Sequence, residues 1–139
     1  MPEYEVKITK LGFDNVKKLY AQAQERMKDF TVPLKQGGQV MLASVHKNFR
    51  AGGRPRWRSL RPATLRYKKR QGLSSLPLTG RTGRLQSSIV PRATKTKLAI
   101  GTSVPYAAVH QFGGGNNIPK RPYLVFQKQD LDNIRRLII

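Results

Sequence analysis

Apolar and polar positions alternate at the start of the chain and then change to a helical period. Over residues 3–9 every second side chain is apolar or aromatic, a pattern typical of a half-buried β-strand. Over residues 13–30 the apolar positions recur at spacings of three and four, which predicts a helix with one apolar face. Pro33 follows where this helix is expected to have ended.

Shorter elements are predicted along the rest of the chain. A second helix is expected over residues 36–49, although a glycine pair weakens its start. A short helix is expected over residues 62–71, because proline is tolerated in a first turn. Alternation near residues 87–91 and 98–102 predicts a β-hairpin with a mobile connection. A final helix is expected over residues 130–139, with one apolar face made of Leu131, Ile134, Leu137 and Ile138.

Together these elements predict one α+β domain spanning residues 1–139. In it, a small antiparallel sheet is packed by the long N-terminal helix, the second helix and the C-terminal helix. A length of 139 residues suits a single domain, and no internal repeat divides the chain. No apolar run approaches the roughly 20 residues that a membrane-spanning helix needs, so no membrane contact is expected.

Acidic residues are missing from one hundred consecutive positions, and this narrows the possible functions. Residues 30–129 contain no Asp or Glu but hold 19 of the 27 Lys and Arg, and the formal net charge of the chain is +20. Such a charge attracts phosphates or acidic proteins. The chain also has no cysteine, which excludes disulfides and thiolate metal sites. Two kinds of partner stay open, a polyanion and an assembly whose other members carry the acids.

Catalytic chemistry has little support in this distribution. The acid-free stretch offers no paired carboxylates for hydrolysis, and no carboxylate to orient His46 or His110. Residues 79–84 do not have the spacing of a phosphate-binding loop, and the glycines at 113–115 do not have that of a dinucleotide-binding loop. We therefore expect no enzyme activity, no catalytic residue, no cofactor and no metal. A hydrolase that depends on His110 is the remaining catalytic hypothesis.

Basic residues are concentrated between positions 54 and 70, with Trp57 and Tyr67 among them. Guanidinium groups beside aromatic rings suit phosphate contact and base stacking, and the same segment suits an acidic protein partner. No zinc-finger, RNP or basic-zipper motif is present, which argues against sequence-specific recognition. The candidate contacts to phosphate or to an acidic partner are Arg54, Arg56, Arg58, Arg61, Arg66, Lys68, Lys69 and Arg70.

A series of short motifs begins at Trp57 and continues towards the C-terminus. After Trp57 and a lysine at 68 or 69 come Thr-Gly-Arg-Leu with Ser-Ile at 82–89, Ile-Gly-Thr at 100–102, Tyr-Ala-Ala-Val-His-Gln-Phe-Gly at 106–113 and Arg-Pro at 121–122. This order resembles the phage virion morphogenesis family, the tail-completion proteins similar to protein G of phage Mu. The resemblance covers roughly residue 49 to the C-terminus.

The pattern of that family falls on Trp57, Thr82, Gly83, Leu85, Ser88, Ile89, Tyr106, Ala107, His110, Gln111, Phe112, Gly113, Arg121 and Pro122. Thr79-Gly80 also fits the Thr-Gly element, but Leu85 favours the second copy at 82–83.

These motif residues are expected to define the fold rather than perform chemistry. Leu85 and Ile89 are expected on one face of the sheet, with the aromatic residues of the 106–112 turn packed against it. His110 and Gln111 are expected to satisfy backbone groups of neighbouring loops. A glycine-rich, floppy loop is expected over residues 113–117.

The resemblance implies a structural protein that completes the tail or joins it to the head. It implies a ring of identical subunits, with tail and head-connector proteins as further partners. The protein is then expected in the host cytoplasm during assembly, and afterwards in the neck or tail of the virion. The apolar face of the 13–30 helix and the basic segment 54–70 are the candidate contact surfaces. The alternative is a non-specific nucleic-acid-binding module, and both hold if the lumen of the ring contacts DNA.

Overall fold

The computed structural model describes residues 24–26 and 28–138. The predicted strand over residues 3–9 and most of the predicted helix over residues 13–30, with its apolar contact face, lie outside the described residues. Residues 24–26 are helical. The elements that follow are α1 (Thr31–Ala51), α2 (Pro62–Arg70), α3 (Arg84–Ser87), β1 (Val90–Ala93), β2 (Leu98–Gly101), α4 (Ala107–Phe112) and α5 (Lys128–Ile138).

Helix α1 is the longest described element, and it begins earlier than residue 36, where the sequence pattern placed it. Pro33 does not stop a helix but lies in the first turn of α1, where no intrahelical bond needs its missing N–H. The helix ends at Gly52, whose φ of 70° is left-handed and therefore suits glycine. There the Gly53 N–H donates to the Asn48 carbonyl at 2.8 Å.

The glycine pair in α1, expected only to weaken the helix, lets the hairpin pack closely against it. A Cβ atom at Gly38 would lie 2.9 Å from Pro91 Cβ and 3.2 Å from a methyl of Leu98. Any larger side chain would therefore push the hairpin away, so close packing compensates for the cost of glycine in a helix.

The hairpin pairs β1 with β2 antiparallel, from Val90 opposite Gly101 to Ala93 opposite Leu98. Its connection is a turn over residues 94–97, closed by the Thr94 N–H donating to the Lys97 carbonyl at 2.8 Å. The expected connection, residues 92–97, is shortened to this turn because β1 extends to Ala93.

The prediction that the first strand begins by residue 87 was also wrong, because α3 occupies residues 84–87 as a helical turn. Leu85 and Ile89 are both buried, but Leu85 belongs to α3 and the two do not alternate on a strand.

The core lies between α1, the hairpin, α5 and the segment after α4. Phe49 is fully buried, and its ring lies 5.8 Å from that of Trp57 and 5.5 Å from that of Tyr123, measured between centroids. The fully buried Asn48 amide donates to the Tyr123 and Val125 carbonyls at 2.8 and 3.0 Å. This pair of bonds fixes an irregular segment against α1.

Helix α5 packs on α1, and the Ser44 hydroxyl donates to an Asp130 carboxylate oxygen at 2.5 Å. The predicted apolar face of α5 is only partly covered. Ile134 is buried and Ile138 packs at the edge of the core, but Leu131 and Leu137 are exposed. The architecture confirms the predicted α+β class: a long helix covers a two-stranded antiparallel sheet and meets a C-terminal helix. No helix in the described ranges is long and apolar enough to cross a membrane.

Candidate functional site

Two of the predicted contact residues in the basic segment are internal supports of the fold. The Arg54 guanidinium donates to Asn48 Oδ1 at 2.8 Å and to the carbonyl and hydroxyl of Ser44 at 2.8 and 2.7 Å. Arg54 is half-buried and these bonds hold it against α1, so its Nε and Nη2 groups support the fold. Its contact with phosphate or an acidic partner stays a prediction.

Lys68 is the second internal cation. Its side chain is buried, and Nζ donates to the carbonyls of Leu76 and Thr79 at 2.8 and 2.9 Å. Burial lowers the pKa of Lys68, because the charged form is poorly solvated there. The lysine thus holds the loop that follows α2. The predicted contact of its side chain with a ligand stays a prediction, and no bond in this structure supports it. This loop contains the first of the two Thr-Gly pairs, whose structural role the sequence pattern did not reveal.

The other cations of the segment are exposed. Within the part of the chain that the structure describes, none of their side chains has a hydrogen bond or an ion pair with an acid. The ion pairs between described residues are Lys28–Glu25 and Arg135–Asp132. The exposed cations are Arg56, Arg58, Arg61, Arg66, Lys69 and Arg70.

Trp57 is unavailable for the base stacking that the sequence suggested. Its side chain is 6% exposed, and its indole N–H donates to the Pro122 carbonyl at 2.9 Å. Tyr67 on α2 is 51% exposed and stays accessible. The aromatic residues of the basic segment therefore have different roles, one in the core and one on the surface.

The Thr-Gly-Arg-Leu element forms the entry to the hairpin. Gly83 has a left-handed φ of 62° immediately before α3, a conformation that favours glycine. The Ser88 hydroxyl donates to the Leu85 carbonyl at 2.7 Å and shares a 2.6 Å hydrogen bond with the Thr102 hydroxyl. Thr82 is exposed.

The motif at 106–113 forms α4 and the turn after it. Gln111 Oε1 accepts the backbone N–H groups of Tyr123 and Leu124, both at 3.0 Å, as predicted for a residue that satisfies a neighbouring loop. The aromatic side chains do not pack against the sheet as expected. Tyr106 is 40% exposed and Phe112 is 67% exposed, which makes them surface residues.

His110 satisfies a neighbouring loop through its backbone, not its side chain. Its carbonyl accepts the Arg121 N–H at 2.9 Å, whereas its buried Nδ1 has no hydrogen-bond partner. Burial, and secondly the charge of Arg121, lower the pKa of His110. The imidazole is therefore neutral near pH 7.

Arg121 and Pro122 join the last motif to the first. Arg121 Nε donates to the Arg58 carbonyl at 2.9 Å and Nη2 to the Ser59 carbonyl at 3.3 Å. With the bond from Trp57 to Pro122, these contacts connect segments more than sixty positions apart in the sequence. Trp57, Arg121 and Pro122 thus form a structural brace between these two segments. No group of three or more His, Cys, Asp or Glu that could hold a metal occurs among the described residues.

Comparison with known proteins identifies the series of motifs. A family model described as the phage virion morphogenesis family matches residues 11–139. The Mu-like prophage FluMu G protein 2 of Haemophilus influenzae is 40% identical over 97 residues, which are 66% of this chain and 62% of that relative's length. No solved structure matches. Because the family model covers nearly the whole sequence, the chain belongs to the phage virion morphogenesis family.

Proposed function

We propose that this protein is a structural subunit that completes the phage tail or joins the tail to the head, and that it acts in a ring of identical subunits rather than as an enzyme. The family match over residues 11–139 is the observation that carries the proposal. The proposed partners are other copies of the chain and the tail and head-connector proteins. The proposed location is the host cytoplasm during assembly and then the neck or tail of the virion.

The use of the motif residues supports a structural role. The polar groups of three motif residues bond to backbone atoms of other segments. Trp57 and Arg121 donate to carbonyls, and Gln111 accepts a backbone N–H. Such contacts stabilise one shape, and a subunit of a particle needs a defined surface more than a reactive group. On that surface Phe112 is 67% exposed next to the brace, so it is a candidate contact with a neighbouring subunit.

The positive charge of each subunit limits how a ring of identical subunits can form. Subunits with a formal charge of +20 repel one another, so a closed assembly needs anions from neighbouring proteins or from DNA. A ring also uses two different surfaces of each subunit, which must meet and close.

Light scattering coupled to size-exclusion chromatography tests this proposal. The full chain is examined alone and with the tail and head-connector proteins of the same phage. We expect masses at multiples of 15.7 kDa or co-elution with those proteins. A monomer under every condition would contradict the proposal.

A matched pair of variants tests whether Phe112 lies in the contact surface between subunits. Phe112→Asp should reduce the assembled fraction, because a carboxylate replaces an exposed apolar contact. Val32→Asp is the control, since Val32 is equally exposed at 66% but lies outside the motif series. An equal response of both variants would remove Phe112 from the interface.

Non-specific nucleic-acid binding is the second candidate, favoured by the exposed cations of residues 56–70. Its test is the affinity of the full chain for duplex DNA across a salt series, which should fall steeply as salt rises. Absence of binding at low salt would exclude this candidate and leave the assembly role unaffected.

A further inference from the structure

A polar pocket lies where the loop before α2 meets the turn that follows α4. Its volume is about 530 Å³, and its lining includes Arg58, Arg61, Arg121, Asn116 and Asn117. None of its described lining residues is Asp or Glu. The pocket therefore presents guanidinium and amide donors with no carboxylate beside them.

Arg121 forms a fixed wall of this pocket. Its side chain is 7% exposed, and its Nε and Nη2 atoms donate to the carbonyls of Arg58 and Ser59. Both acceptors are neutral, so no described residue neutralises the charge of the guanidinium. Because a buried charge is costly without an opposite charge nearby, the pocket is electrostatically incomplete.

A second charge makes the potential of the pocket more positive. Burial, and then the neighbouring charge of Arg58, lower the pKa of Arg121. Arg58 and Arg61 are exposed, so both remain free to approach a ligand from solvent. An anion between these groups would relieve the repulsion that they exert on one another.

The turn that follows α4 brings two asparagines to the pocket. Asn116 and Asn117 have left-handed φ angles of 61° and 60°, which asparagine tolerates better than most residues. A bridge between Gly114 and Ile118 closes the turn. The turn therefore contributes two asparagines, which are neutral, to the lining of the pocket.

We propose that this pocket binds a phosphate group of a nucleic-acid backbone. A guanidinium matches the geometry of a phosphate and can donate two hydrogen bonds to it at once. Exposed cations continue from the pocket along the same segment, at Arg56, Arg66, Lys69 and Arg70. A duplex presents phosphates at a regular spacing along its whole length and so can neutralise several of these cations together, whereas the carboxylates of an acidic protein have no fixed repeat. The inference does not depend on the ring; it rests on the second candidate function, non-specific nucleic-acid binding, and names a site for it.

Fluorescence anisotropy of the full chain with a short labelled duplex of mixed sequence tests the pocket. The pocket variant is Arg58→Gln with Arg61→Gln. The control is Arg66→Gln with Arg70→Gln, which removes the same charge from the same segment but not from the pocket lining. We expect the pocket variant to lose at least about tenfold in affinity and to lower the salt slope by about 2, as for two lost phosphate contacts.

The results separate the possible explanations. A smaller loss in the control supports the pocket, and equal losses in both variants overturn it in favour of diffuse surface charge. If the unmodified chain binds acidic peptide but no DNA at low salt, the ligand is a protein carboxylate and the proposal is wrong.

Inorganic phosphate provides a test that does not rely on DNA. Titration into isotopically labelled protein, followed by NMR of the arginine Nε–H signals, should shift those of Arg121 and Arg58 before that of Arg66. Shifts of similar size at all three arginines would overturn the pocket. Folding is checked from the same spectra, so loss of structure in a variant is not mistaken for loss of a ligand.

Discussion

Lys68 and Lys69 are neighbours on α2 with the same chemistry and opposite environments. Lys68 is buried, and its ammonium group donates to two backbone carbonyls of the following loop. Lys69 is exposed and has no described partner. The same division runs through residues 54–70, where Arg54 is committed to α1 and Arg56 lies on the surface. A run of basic residues thus combines structural anchors with free charge.

The largest effect on stability is expected at Arg54. Arg54→Met should lower the free energy of unfolding by about 3 kcal/mol, because the buried Asn48 Oδ1 loses its donor and the Ser44 carbonyl and hydroxyl each lose one hydrogen bond. Arg56→Met should change it by less than about 0.5 kcal/mol, as is usual at exposed positions. Urea denaturation of both variants measures the difference. Equal changes in the free energy of unfolding would mean that Arg54 does not stabilise the fold more than the exposed Arg56 does.

A smaller difference is expected between the two adjacent lysines. Lys68→Met should cost about 2 kcal/mol, because the Leu76 and Thr79 carbonyls lose a charged donor while the volume of the side chain is kept. Lys69→Met should lie within about 0.5 kcal/mol of the unmodified chain. Denaturant midpoints provide the measurement, and a neutral result for Lys68→Met would contradict its anchoring role.

Trp57 extends the comparison to the aromatic residues. Trp57→Phe should cost about 1 kcal/mol, since the ring stays buried but the bond to the Pro122 carbonyl is lost. Trp57 is the single tryptophan of the chain, so its fluorescence reports on this position alone. Poor quenching by iodide, with and without DNA, is expected for a buried ring. Strong quenching that DNA suppresses would instead place Trp57 on the binding surface.

The smallest effect concerns pH. The folded-state pKa of His110 lies below its unfolded value, so its contribution to stability is complete above about pH 6.5 and decreases as the pH falls towards the folded pKa. His110→Gln should therefore flatten the loss of stability between neutral and mildly acidic pH. Unfolding free energies of both proteins across this range check the slope, and an unchanged slope would mean that another group titrates.

The sequence predicted elements well where local signals were strong. Pro62 correctly marked the start of α2, and the apolar periodicity correctly placed α5 to within a few residues. The strand predicted near residues 84–89 was wrong, because six positions fit both strand alternation and a helical turn that leads into a strand. Pro33 was read as a sign of a helix end for a related reason, since proline is compatible both with the end of one helix and with the first turn of the next.

The division of the basic segment could not be predicted from the order of its residues. Arg54 and Trp57 lie in irregular backbone, which has no period that separates an inner face from an outer one. Lys68 lies in a helix, one turn after the partly buried Leu65, and this spacing is the only local sign of its burial. The acceptors of Arg54 and Lys68 lie 6 to 11 positions away along the chain, and each cation reaches them only because a turn or loop folds back on the helix. The order of the residues does not reveal that return.

Electron microscopy of particles from the encoding phage, with this gene interrupted, tests the central claim most directly. If the protein completes the tail or joins it to the head, heads and tails should accumulate separately, and a copy of the gene supplied in trans should restore joined particles. Normal, infectious particles without the gene would contradict the assembly role.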